Sequence, residues 1–257
     1  MHFTPVTAAG ASIAFELLGP ADDRTVRVYL AGLGSAGTVA FMPAVADARL
    51  ATRGRHLLVD LIGSGWSDTD DSFEYTIDEH ARTIGTLLES LAIGAVELIG
   101  HSLGGSIAIS LAAQRPDLVE RLVVIEPNLD PGVGTTSAEI AAYSEEDFVR
   151  FGFSAIVGGI LRAGDNGDAD SAEWGRTMQR WSTRGLYLTA VSLLAERPLT
   201  FREQLAAFDG PRRYISGALT REELAPLRKA GCEVRVVEDA GHDVMFDNLD
   251  GFVDALL

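Results

Sequence analysis

The residues best suited to chemistry in this 257-residue chain lie in the stretch Val96-Glu-Leu-Ile-Gly-His-Ser-Leu-Gly-Gly-Ser-Ile-Ala. There an aliphatic, strand-like run leads into Gly100-x-Ser102-x-Gly104 and directly on into a helix-like run. A turn of this kind forces the serine backbone into a strained conformation. Glycines on either side let strand and helix approach, so the hydroxyl stands alone above a sheet. At a helix start, free N–H groups and the positive end of the dipole face any charge that develops beside the serine. The expected chemistry is attack on a carbonyl by Ser102, with the Leu103 N–H as half of an oxyanion hole.

Such a serine needs a base, and the chain has 5 histidines. His242, in Val237-Glu-Asp-Ala-Gly-His242, follows the last strand-like run and precedes the last helix-like one, where the base falls in the order serine, acid, histidine. His2 sits at a terminus and His56 opens a buried strand. His80 reads as a helix-surface residue, and His101 as pointing from the wrong side of the turn. The second oxyanion donor is assigned to the Leu33 N–H, in the glycine-rich loop Ala31-Gly-Leu-Gly-Ser35, with Gly32 and Ser35 facing substrate. An ordinary surface turn is the plainer reading of Gly32 and Gly34.

These residues require a scaffold of alternating elements. Segments 2–7 and 12–18 read as an antiparallel hairpin turning at Gly10. The runs 26–30, 55–59, 96–99, 122–125, 213–215 and 233–237 are short and mostly without polar alternation, as in strands buried on both faces. Helical spacing marks 77–91, 103–114, 221–230 and 249–257. This alternation predicts an α/β fold with a mostly parallel sheet flanked by helices and reactive loops at the carboxyl ends of the strands. Residues 128–209 separate two strands where one crossover helix would suffice, and so read as a helical cap inserted after the sixth strand, over a core of 1–127 and 210–257. Helical pieces in the cap are expected at 144–152, 172–184 and 186–194. Its acidic loop 164–170 lacks the glycine and glutamate spacing of a calcium loop, and no metal is expected.

At this point the chain resembles the α/β-hydrolase family, over nearly its whole length. Gly100-His-Ser-Leu-Gly-Gly105 is similar to that family's nucleophile elbow. Asp60-Leu-Ile-Gly-Ser-Gly-Trp-Ser67 is similar to a turn in its capped members, and Gln114-Arg-Pro-Asp-Leu-Val-Glu-Arg-Leu-Val to the link that follows the nucleophile helix. The acid departs from the pattern. Family members usually carry an aspartate after the post-cap strand, separated from a glycine by two residues, whereas this chain reads Gly217-Ala-Leu-Thr220. Glu126, closing the strand after the nucleophile's, is the best replacement, since it lies on the active edge of the sheet. Haloalkane dehalogenases and the zearalenone-opening lactonases place their acid after this strand. Glu222 or Glu223 is the alternative, and a salt bridge at the cap hinge is another role for Glu126.

The resemblance implies a serine hydrolase that cleaves a carboxylic ester or lactone through an acyl-enzyme on Ser102, without cofactor. Thioester hydrolysis, perhydrolysis and carbon–carbon bond hydrolysis use the same triad. A slow-turnover receptor on the same scaffold is the alternative from another class. In the cap, Trp174, Met178 and Trp181 recur at helical spacing near Phe148, Phe151 and Phe153. Met178 and Trp181 are the expected substrate contacts, although the stripe would equally serve to seat the cap. A net charge of −16 disfavours nucleic acid as a partner. The single Cys232 reads as structural, and the absence of a leader or of a long apolar run predicts a cytoplasmic protein off the membrane, with a homodimer left open.

Overall fold

The computed structural model describes residues 1–21, 24–220 and 222–257. Eight strands form one sheet: β1 His2–Pro5, β2 Ser12–Leu18, β3 Arg27–Leu30, β4 His56–Val59, β5 Val96–His101, β6 Val119–Ile125, β7 Arg212–Gly217 and β8 Glu233–Val237. Their order is β1-β2-β4-β3-β5-β6-β7-β8. β1 pairs antiparallel with β2, and β2 with β4; every other pairing is parallel. The apolar runs are thus explained by burial on both faces, since helices pack above and below the central strands. One core centres on Val28, Leu30, Leu98 and Ile107. A second, on the opposite face, joins Tyr29, Phe41, Ile99 and Ile125 to Phe252 of the last helix.

The helix Leu103–Gln114 runs directly off β5, and its first two turns are almost wholly buried. Three glycines make that packing sterically feasible. A Cβ on Gly100 would collide with the Gly104 carbonyl, and one on Gly104 would collide with the Leu30 carbonyl at the end of β3. One on Gly105 would come within 2.8 Å of the Pro127 side chain beyond β6.

Between β6 and β7 the chain runs through several helices, the longest being Phe153–Asp165, Ala169–Met178 and Thr183–Leu194. The helix beginning at Phe153 was not expected from the sequence, because its paired glycines, Gly158-Gly159, weaken the local helical signal. The expected start of a later helix at Arg221 lies outside the described residues; the observed helix spans Leu224–Lys229. His80 corrects its surface assignment. It is fully buried, 3.1 Å from the Thr189 hydroxyl, because the helix Thr183–Leu194 covers that face of Ile77–Ser90. Among the described residues, no helix is long and apolar enough to cross a membrane.

Gly104→Ala is expected to cost about 3 kcal/mol by forcing the nucleophile helix off β3. The midpoint of urea unfolding, compared with that of wild type, measures it.

Candidate active site

Ser102 has φ 51° and ψ −119°, a region that a residue with a Cβ rarely adopts. Its N–H donates to the Ile125 carbonyl at 2.9 Å, which fastens the turn to the neighbouring strand. Being first in its helix, the Leu103 N–H has no carbonyl behind it to bond. Ser102 lines a cavity of about 650 Å³ whose walls also include Gly32, Leu33, Ser35, Glu126 and His242. Ser102, His242, Glu126 and the Leu33 loop, chosen from the sequence, therefore share one cavity.

β6 ends in a second turn of the same kind. Glu126 has φ 47°, and its N–H donates to the Ile215 carbonyl at 3.2 Å. Its side chain is 9% exposed. Glu126 Oε1 accepts from the Ser216 hydroxyl at 2.8 Å, the Gly217 N–H at 2.9 Å and the Thr220 hydroxyl at 2.8 Å. Thr220 stands where the resemblance leads one to expect an aspartate, and this loop instead supplies donors to Glu126.

Glu126 Oε2 faces His242 Nδ1 at 3.9 Å, an ion-pair distance that is too long for a hydrogen bond. Catalytic hydrogen bonds are often long before substrate is bound. Burial raises the Glu126 carboxyl, but the donors facing it from His242, Thr220, Ser216 and Gly217 outweigh that effect and hold it below its ordinary range. Partial desolvation likewise opposes the His242 imidazolium, although its side chain remains 51% exposed. The Glu126 carboxylate and the charges of Asp243 and Asp247 prevail, so His242 lies above an ordinary histidine. Gly217 lets the histidine loop approach, because a Cβ there would collide with the Gly241 carbonyl.

Of the alternatives for the acid, Glu222 lines the cavity but contacts Arg202 at 3.2 Å. Glu223 precedes the helix Leu224–Lys229 without capping it through its side chain.

His101 departs from the sequence reading, which set it on the wrong side of the turn. Its ring lines the cavity, and its Nε2 lies 2.9 Å from the His242 carbonyl oxygen. A carbonyl can only accept, so His101 carries its proton on Nε2. Burial, then the neighbouring His242, push it down to about 4, which keeps it neutral. Adjacency to the serine was the available clue.

Met178 and Trp181 require a correction as substrate contacts. Met178 is fully buried and Trp181 is 4% exposed, and neither lines the cavity, whose wall from that segment is Glu173, Trp174 and Thr177. Apolar burial against the loop at Gly34 accounts for it: a Cβ there would collide with Met178. Phe148 is buried and Phe151 is exposed, both away from the cavity.

Fold and sequence comparisons agree on an α/β-hydrolase fold for this chain. A family model described as alpha/beta hydrolase fold matches residues 30–151. An N-formylmaleamate deformylase of Pseudomonas putida is 27% identical over 209 residues, 76% of this chain and 74% of that protein. An sn-1-specific diacylglycerol lipase of Danio rerio is 31% identical over 138 residues, covering 53% of this chain but only 42% of the lipase. Among solved structures, an enol-lactonase from Burkholderia xenovorans superposes with a TM-score of 0.80 at 20% identity, over 99% of this chain and 98% of that one. An esterase from Thermogutta terrifontis gives 0.79 at 17% identity, over 99% and 95%. At those identities the two structures speak for the fold.

Glu126→Gln is expected to lower turnover about 100-fold or more with little change in melting temperature, because the amide oxygen still accepts the three donors. Only a neutral His242 can accept the serine proton, so activity in wild type falls as pH drops through a value above the ordinary 6.5 or so. Removing the carboxylate charge should move that acid limb to lower pH. Adding Thr220→Asp to Glu126→Gln, which returns an acid to the usual place, should recover part of the lost rate. All three effects are read from kcat/KM against pH.

Proposed function

We propose that this protein is a serine hydrolase that transfers the acyl group of a carboxylic ester or lactone to Ser102 and then to water. The observation that carries this reading is a serine held at φ 51° in one cavity with a histidine and a buried carboxylate. His242 takes the Ser102 proton as the hydroxyl attacks the carbonyl, and Glu126 stabilises the imidazolium that forms. The N–H groups of Leu33 and Leu103 receive the oxyanion. His242 then protonates the leaving alcohol, and water, deprotonated by the same imidazole, frees the acyl group. We further read residues 128–209 as a cap over the core of 1–127 and 210–257. Its Thr135, Thr136, Glu173, Trp174 and Thr177 line the same cavity as the nucleophile.

The charge of that cavity narrows the substrate. Besides Glu126, its walls carry Glu173 and Asp243, and Glu222 paired with Arg202, so a substrate carboxylate would meet mostly like charges in a partly desolvated space. The names of two relatives denote acids, N-formylmaleamate and E-2-(acetamidomethylene)succinate. An uncharged acyl group suits the present cavity better, which favours plain esters and lactones over the deformylase's reaction. A cytoplasmic location belongs to the same reading and is supported by a lone, buried Cys232.

A panel of p-nitrophenyl esters and lactones, assayed with wild type and Ser102→Ala, tests the reaction. Turnover that disappears in the variant is expected. Release of fewer than about one product per chain over minutes, against enzyme rates near 10 per second, would instead support the slow-turnover receptor, which the 3.9 Å gap between Glu126 and His242 favours. For charge, a neutral ester and one of equal length ending in a carboxylate are compared. The acidic ester is expected to show kcat/KM lower by about tenfold or more, and equal values would refute the uncharged-substrate reading.

A further inference from the structure

The loop that carries the Leu33 N–H is held from two sides. Below it, Asp60 at the end of β4 is fully buried, and its carboxylate accepts from the Thr38 N–H at 2.9 Å and from the Thr38 hydroxyl at 2.9 Å. That fixes the helical turn Gly37–Ala40 into which the loop runs. Above it, two indoles from the chain between β6 and β7 reach down to loop carbonyls. Trp174 Nε1 donates to the Leu33 carbonyl at 2.8 Å, and Trp181 Nε1 donates to the Ser35 carbonyl at 2.8 Å. Gly34, between those two carbonyls, has φ 80° and no side chain; a Cβ would come within 2.6 Å of Trp174 Nε1.

These contacts determine peptide orientation. The Ser35 N–H donates to the Gly32 carbonyl at 3.1 Å. In a trans peptide the C=O and the following N–H point opposite ways, so this turn directs the Leu33 N–H away from Ser35. The next plane, Leu33–Gly34, has no such internal bond holding its carbonyl. Trp174 supplies it, and without it that carbonyl would be left to seek another donor by rotating the plane that adjoins Leu33. Trp181 does the same for the plane after Ser35. Both donors are indole N–H groups whose rings are packed among buried neighbours, so they do not swing freely as a lysine or serine donor would.

We propose that Trp174 and Trp181 are positioning residues for the oxyanion hole, tying the orientation of the Leu33 N–H to the seating of the segment between β6 and β7. The inference rests on the serine-hydrolase reading but assigns a role that reading does not need. Trp174 has two functions on this view: its ring forms cavity wall, and its N–H sets the loop. Trp181, out of the cavity, has only the second.

The test uses Trp181→Phe and Trp174→Phe, each keeping an aromatic ring and losing the N–H, with p-nitrophenyl acetate, whose acyl group is too small to span the cavity. Removing an oxyanion donor outright costs about 100- to 1,000-fold in kcat, so misorienting one should lower kcat by about tenfold or more with KM within about twofold. The affinity of a boronic acid, which forms a tetrahedral anion on the serine, should fall in parallel, while that of the acetate product stays constant. Trp181→Phe provides the decisive arm, because it cannot change a substrate contact. If it fails to fold, Trp174→Phe is judged by the same split between boronic acid and acetate. Unchanged kcat and boronic-acid affinity in a folded variant overturn the proposal while leaving the hydrolase reading intact. A loss confined to KM overturns it too. Wild type without serine-dependent turnover removes both.

Discussion

The whole site depends on the backbone at Ser102. A non-glycine residue held at φ 51° costs about 1–3 kcal/mol, and it persists only where its surroundings leave no alternative. The bond from its N–H to Ile125 ties it to β6. The burial of Leu103, Ile107 and Leu111 in the sheet face fixes the helix that follows. Because the strand and helix must nearly touch at the turn, positions 100 and 104 admit no side chain. Relaxing any of these would let Ser102 return to ordinary φ and lower its hydroxyl toward the sheet. The reactivity of the serine is thus supported by the core, and the strain is balanced by apolar packing distant from any substrate.

The turn at Glu126 repeats the device one strand over, again with positive φ and an N–H bonded to the next strand. This lets a carboxylate at the end of β6 face His242, the role proposed for Glu126. A carboxylate buried to 9% exposure requires compensation, and the vacated acid position provides it. Thr220, Ser216 and the Gly217 N–H all bind one oxygen, leaving the other for His242. Glutamate rather than aspartate stands here, with one more methylene than the usual acid. Exchanging an acid for a hydroxyl at one strand end and placing an acid at the next conserves the net charge beside the histidine while changing which loop carries it.

Much of this was legible in the sequence, for identifiable reasons. Strand ends, glycine spacing and chain order are local properties, and they point to Ser102, His242, Glu126 and the Leu33 loop, which the structure brings to one cavity. The central strands were legible because parallel, doubly buried strands leave continuous apolar runs, and the opening hairpin because its segments alternate about a glycine turn. What local pattern could not convey was direction. Periodicity brought Trp174, Met178 and Trp181 onto one side of a segment, but whether that side faced a cavity or a loop depends on tertiary seating. For Met178 and Trp181 it faced the loop. His80 failed similarly, since its burial comes from a helix more than a hundred residues later in the chain. His101 reads from the sequence as pointing from the wrong side of the turn, while the place of its ring depends on a bond to the main chain of His242, which no sequence pattern encodes.

Taken together, these contacts tie the insertion to both halves of the catalytic arrangement. Its root is the segment Glu126-Pro127-Asn128, so the candidate acid is also the residue from which the insertion departs. The Asn128 carbonyl accepts from Ser106 of the nucleophile helix at 3.0 Å, which anchors that root against the elbow. Its far side reaches the oxyanion loop through the two indoles. A displacement of the insertion would therefore act on the loop that receives negative charge, while its root remains pinned to the helix that presents the serine. The acid, serine and histidine stay with the sheet, and only the oxyanion loop is shared between the sheet and the insertion. On the proposed reading, the element that lines the cavity also holds the loop assigned to the oxyanion, so substrate fit and transition-state stabilisation would be mechanically linked rather than independent.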